Sequence, residues 1–130
     1  MSPAENGKTI LLAEDHHPLR TFVLAMLEGC GYHVIVASDG QEALEKAKQF
    51  NGTIDLLLSD IEMPRMTGIE LATQFQLDRP DSKVLLMSGL DCGMLLLNEG
   101  WQFLPKPFMV NMLKVRVHHL LQDGSKHATV

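Results

Sequence analysis

Four short apolar runs along the chain each end on a polar residue. Ile10-Leu11-Leu12-Ala13 runs into Glu14-Asp15, and Leu56-Leu57-Leu58 into Ser59-Asp60. Val84-Leu85-Leu86-Met87 runs into Ser88, and Phe103-Leu104 into Pro105-Lys106. The runs are continuous rather than alternating, which is the pattern of strands covered on both faces. They predict strands over Lys8 to Ala13, Ile54 to Ser59, Lys83 to Met87 and Gln102 to Leu104, and the β-branched Val34-Ile35-Val36 predicts another over Tyr32 to Ala37.

Between the strands the period changes. Leu19, Phe22, Val23, Met26 and Leu27 recur at helical offsets after Pro18, a residue tolerated at a first helical position, and Gly29 and Gly31 stop the run. Ser38-Asp39-Gly40-Gln41-Glu42 offers a cap for a helix whose apolar side is Ala43, Leu44, Ala47 and Phe50, ended by Asn51-Gly52. Thr67-Gly68-Ile69-Glu70 has the form of a capping box for a helix carrying Ile69, Leu71, Ala72 and Phe75. A short helix is expected between Leu90 and Gly100. A last one carries Val110, Leu113, Val117, Leu120 and Leu121 and ends before Asp123-Gly124.

Strands and helices in alternation predict an α/β fold: a doubly wound parallel sheet between two layers of helices, with right-handed crossovers. Such sheets bind ligands beyond the carboxyl ends of their strands. Glu14, Asp15, Asp60, Ser88 and Lys106 all fall at those ends, and the second strand contributes nothing recognisable. One domain is expected over residues 8–122, with residues 1–7 and 123–130 as flexible tails.

Composition narrows the chemistry. With 130 residues, 45% hydrophobic and 21% charged, the chain has enough material for one buried core. It shows no membrane-length apolar run and no signal-peptide pattern, so a cytoplasmic protein is expected. The net charge of -5, with no Lys/Arg cluster, argues against direct nucleic-acid binding. Cys30 and Cys92 form no Cys-x-x-Cys, and the adjacent pairs His16-His17 and His118-His119 lack chelating spacing, so neither a disulfide framework nor zinc is expected.

If Glu14, Asp15 and Asp60 share a cleft, two carboxylates about 4 Å apart repel by roughly 4 kcal/mol at an effective dielectric near 20. A divalent cation resolves that conflict, and all-oxygen ligation suits Mg2+. Three carboxylates, Mg2+ and the Lys106 ammonium then sum to zero charge. Asp60 attacking a phosphoryl group exchanges its own charge for about two negative charges, which the metal and Lys106 can hold. Ser88 offers a hydroxyl to a phosphoryl oxygen in that state alone, so it can bias a two-state element.

Leu11-Leu12-Ala13-Glu14-Asp15, the stretch from Leu56 to Pro64 with Gly68, Leu85-Leu86-Met87-Ser88-Gly89 and Phe103-Leu104-Pro105-Lys106-Pro107-Phe108 together resemble the receiver domain of two-component response regulators. The resemblance extends from about Lys8 to Gln122. It implies a flavodoxin-like fold with strand order 2-1-3-4-5, Asp60 as acceptor of a phosphoryl group from a histidine kinase or phosphotransfer protein, and output by protein contact. By the same resemblance Asp15 and Asp60 bind Mg2+ with the backbone carbonyl of Glu62, Glu14 acts through water, and Lys106 pairs with the phosphorylated site. The bond before Pro107 is expected to be cis, and Phe103 to turn inward as Ser88 moves. The resemblance implies a phosphoacceptor rather than an enzyme, its catalysis confined to its own phosphorylation and dephosphorylation, and leaves a homodimer open.

This chain departs from the family pattern in the span from Ser88 to Lys106, about one helical turn short, and in Gly89, Leu90 and Glu62, the last of which adds an acid two residues after Asp60. Two other readings stand beside this one. A receiver-like interaction module would never be phosphorylated. A small Mg2+-dependent aspartyl-phosphate phosphatase would want an Asp-x-Asp-x-Thr pattern, which Asp60-Ile61-Glu62 does not supply.

Overall fold

The computed structural model describes residues 7–89 and 101–123. In chain order these form β1 (Thr9–Ala13), α1 (His17–Gly29), β2 (His33–Ala37), α2 (Gly40–Gln49), β3 (Leu56–Asp60), α3 (Gly68–Asp78), β4 (Lys83–Ser88), β5 (Trp101–Pro105) and α4 (Val110–Asp123). All strand pairs are parallel and their spatial order is β2-β1-β3-β4-β5. The helix expected between Leu90 and Gly100 lies outside the described residues.

The continuous apolar runs are explained by the two cores they serve. Side chains alternate across a strand, so Leu11, Leu57, Val84 and Leu86 face one core, packed with Ala43, Leu44 and Ala47 of α2 and Leu71, Ala72 and Phe75 of α3. Ile10, Leu12, Leu56, Leu58, Leu85 and Met87 face the other, packed with Val23 and Leu27 of α1 and Leu113, Val117, Leu120 and Leu121 of α4. Phe22 departs from the sequence-based pattern: it lies 49% exposed on α1, beside rather than within the buried stripe. An offset of three residues alone does not separate the centre of a helical stripe from its edge.

Local chemistry fixes the helix starts. The Asp39 side chain accepts from the Glu42 N–H at 2.8 Å, and the Glu42 carboxylate accepts from the Ser38 N–H at 2.8 Å. Thr67 and Glu70 make a reciprocal capping box, at 3.1 and 3.0 Å. Both satisfy donors that the first helical turn leaves without partners. β3 begins two residues later than the hydrophobic run suggests, because Ile54 and Asp55 belong to the approach. There the Asp55 carboxylate accepts from the Thr9 N–H at 2.9 Å. Pro105 is accommodated because β5 is an edge strand, where one N–H fewer disturbs no inner ladder.

Gly68 holds α3 against the end of β3. A Cβ there would collide with the Asp60 carbonyl oxygen and stand 2.9 Å from the Ile61 Cα, and both are backbone atoms that cannot swing aside. Gly68→Ala is therefore expected to destabilise the fold by about 2–3 kcal/mol, the upper part of the range for overpacking. Thermal unfolding should show it as a drop in Tm of roughly 10 °C.

Candidate functional site

The strand order reverses between β1 and β3, and in such sheets the crevice opens at that switch point. Glu14 follows β1 directly and Asp60 is the last residue of β3, so pairing of these neighbouring strands brings the two carboxylates together. Ligand oxygens of Glu14, Asp15 and Asp60 lie within 4.8 Å of one another. Glu14 and Asp60 are buried, at 0% and 4% exposure, while Asp15 is exposed.

Lys106 enters from the end of β5. Its Nζ stands 3.1 Å from Asp60 Oδ2 and 3.9 Å from Glu14 Oε1. Backbone bonds carry it there: the Lys106 N–H donates to the Ser88 carbonyl at 2.7 Å and the Ile61 N–H to the Met87 carbonyl at 2.8 Å, continuing the ladder past the strand ends. The Lys106–Pro107 peptide bond is cis. The Glu14 backbone is fixed from two sides, its N–H donating to the Ala37 carbonyl and its carbonyl accepting from Arg20 Nη1 at 2.9 Å.

Burial raises the pKa of Glu14 to about 7; the His16 N–H, which donates to Oε2 at 3.1 Å, pulls it down, and the Asp60 charge pushes it up. Burial also raises the pKa of Asp60, against the pull of the Lys106 ammonium. Glu14 thus binds its proton more tightly folded than unfolded, from a reference of 4.5. Its contribution to stability is fully present below pH 4.5 and lost as the pH rises through about 7. In EDTA, unfolding free energy should fall by about 1–3 kcal/mol across that window from this group. Glu14→Gln, which cannot ionise, should flatten the profile of Tm against pH.

The donor set fits a hard divalent cation. Glu14 Oε1 and Asp60 Oδ1 are buried and accept no hydrogen bond within the described structure. Buried acceptors of this kind are costly unless another group satisfies them. A divalent cation held there beside the exposed Asp15 carboxylate would do so and would offset the mutual repulsion.

Ser88, at the end of β4, donates from Oγ to Glu62 Oε2 at 2.7 Å, and the Gly89 N–H points to Glu62 Oε1 at 3.4 Å. Phe103 is half-buried against the core on the α2 and α3 side, with its carbonyl accepting from Arg116 Nη1 at 2.9 Å. Trp101, at the other end of β5, is half-buried too, its indole N–H donating to Gln76 Oε1 at 2.8 Å. Leu90 lies outside the described residues.

Two features of the site have no counterpart in the sequence reading. Asp39, expected only as part of the cap of α2, also lies 3.2 Å from Arg65 Nη2 in the loop after Asp60. Arg65 holds a left-handed backbone, φ 69°, which no motif marks in the sequence. The Glu62 to Ser88 bond joins residues 26 apart, and neither residue type announces the other.

Comparison with known proteins adds three findings. The family model for the response regulator receiver domain matches residues 10–118. Among curated proteins, the sensor kinase CckA of Brucella abortus is 34% identical over 118 residues, which are 88% of this chain but 12% of that kinase. The response regulator receiver protein CpdR of the same organism is 43% identical over 82 residues, 63% of this chain and 67% of CpdR. Among solved structures, the receiver domain of the hybrid histidine kinase CckA superposes with a TM-score of 0.78 at 37% identity, covering 88% of this chain and 99% of that one. The response regulator TrrA from Thermotoga maritima, solved with Mg2+ and BeF, superposes with a TM-score of 0.77 at 30% identity, covering 88% of this chain and 99% of that one.

Proposed function

The chain belongs to the response regulator receiver domain family of two-component signalling, whose members are phosphoacceptors that bind Mg2+ at an acidic pocket, and from that premise we propose that Asp60 is its phosphoacceptor. The observation that carries this is the pair of buried oxygens, Asp60 Oδ1 and Glu14 Oε1, in one crevice with the Lys106 ammonium.

Asp15, Asp60 and the Glu62 carbonyl would hold Mg2+, with Glu14 acting through water. The ion, when bound, supplies positive charge to the phosphoryl oxygens. Asp60 attacks phosphorus, an Asp60 O–P bond forms, and the bond from phosphorus to the donor's imidazole nitrogen breaks. The imidazole leaves with the electron pair of that bond and takes up a proton. Lys106, a point charge on a flexible stem, follows the oxygens as the charge at Asp60 grows from about one to about two. Ser88 and Phe103 are the switch pair through which that charge is read, and the hydrolysis that reverses it draws on the same residues.

The donor is a histidine kinase or a histidine phosphotransfer protein, in the cytoplasm, and the output is a protein contact. Among the described residues no helix is long and apolar enough to cross a membrane. The test is intact mass after incubation with acetyl phosphate. A gain of one phosphoryl group with Mg2+, lost in EDTA, is the expected result. No adduct under conditions where Mg2+ is shown to bind would instead favour an interaction module that is never phosphorylated. Saturating Mg2+, at about 100 times its Kd, should add about 2.7 kcal/mol of stability. At a fixed Mg2+ concentration the gain should be largest above pH 7, where Glu14 is ionised.

A further inference from the structure

Glu62 is exposed, and an exposed carboxylate is ordinarily left to water. Here both of its oxygens are turned onto consecutive residues at the end of β4. Oε2 accepts from Ser88 Oγ at 2.7 Å, and Oε1 faces the Gly89 N–H at 3.4 Å. These donors lie at the mouth of the crevice that holds Asp60, whose backbone is paired through β3 with that of Met87. A phosphoryl group on Asp60 would place three acceptor oxygens and about two negative charges beside them.

A hydroxyl has one proton to donate. Ser88 can give it to Glu62 or to a phosphoryl oxygen, and two anions that compete for it also repel each other. We propose that the Glu62 carboxylate is an internal competitor for the phosphoryl group: it occupies the Ser88 and Gly89 donors in the unphosphorylated protein and must be displaced before they engage the phosphate. This rests on Asp60 being the phosphoacceptor. Glu62 is thus a positioning residue, which acts on the switch through Ser88. It sets how much of the phosphoryl group's binding free energy is spent on releasing the end of β4, and hence the fraction of phosphorylated molecules in which Ser88 has moved.

The test is a titration with beryllofluoride, a phosphoryl mimic, at saturating Mg2+, followed calorimetrically and by the amide resonance of Gly89. Glu62→Ala should bind the mimic about tenfold more tightly than the wild type, a difference of about 1.4 kcal/mol. The side chain is exposed, so the variant is expected to fold. In a Ser88→Ala background the same substitution should gain threefold or less, because the contested hydroxyl is gone. A full tenfold gain in that background would mean that Glu62 acts by its charge alone, and would overturn the proposal. Equal affinities of wild type and Glu62→Ala overturn it as well, while leaving Asp60 as the acceptor. If the wild type binds no beryllofluoride although it binds Mg2+, the phosphoacceptor reading fails and this proposal fails with it.

Discussion

Asp60→Asn is expected to reduce labelling by acetyl phosphate to background, a loss of at least about 10³-fold, because a carboxamide oxygen of the same shape is not a competent nucleophile. The substitution is nearly isosteric at a position 4% exposed, so packing is preserved. Circular dichroism and Tm should confirm that. Mg2+ binding should weaken yet persist, since Glu14 and Asp15 remain and an amide oxygen is still a neutral ligand. The combination of lost label with retained metal binding separates the nucleophile from the metal ligands. Labelling that persisted at one phosphoryl group per chain would place the acceptor elsewhere in the cluster, with the exposed Asp15 the first residue to examine.

The parts of this site that were legible in the sequence are those that strand periodicity places. A buried strand in a parallel sheet is an uninterrupted apolar run, so the polar residue that ends it is located to within a residue or two. The order 2-1-3-4-5, which the family resemblance implied and the structure has, then brings Glu14, Asp60, Ser88 and Lys106 to the carboxyl end of the sheet without any knowledge of the loops. The capping box at Thr67 was legible for a similar reason, since both of its partners lie within one helical turn. Contacts between loops were not legible. The bonds from Glu62 to Ser88 and from Arg65 to Asp39 span 26 residues each and depend on backbone geometry that no local pattern encodes. Phe22 shows the limit even inside a helix, where spacing gives the face but not its width.

Lys106→Met is expected to move two properties in opposite directions. Labelling by acetyl phosphate should slow by about 10²–10³-fold, the usual cost of removing one preorganised cation or donor from a site where charge develops. Mg2+ should bind more tightly, because the three carboxylates lose the cation that competes with it. The metal-free variant should also be less stable, since Lys106 is the ammonium within 4 Å of both buried carboxylates. Removing one partner of a buried pair costs about 3–5 kcal/mol. Lys106 keeps 24% of its side chain exposed, so about 1–3 kcal/mol is the appropriate expectation near pH 8. That loss should shrink on acidification, as Glu14 and Asp60, whose folded pKa values are both raised by burial, take up protons and leave Lys106 less charge to pair with. Melting curves with EDTA and with Mg2+ across that range measure all of this except the labelling rate. A lysine that merely held the fold would give weaker metal binding and slower labelling together, whereas a lysine that shares the charge of the site with the metal must give tighter binding and slower transfer.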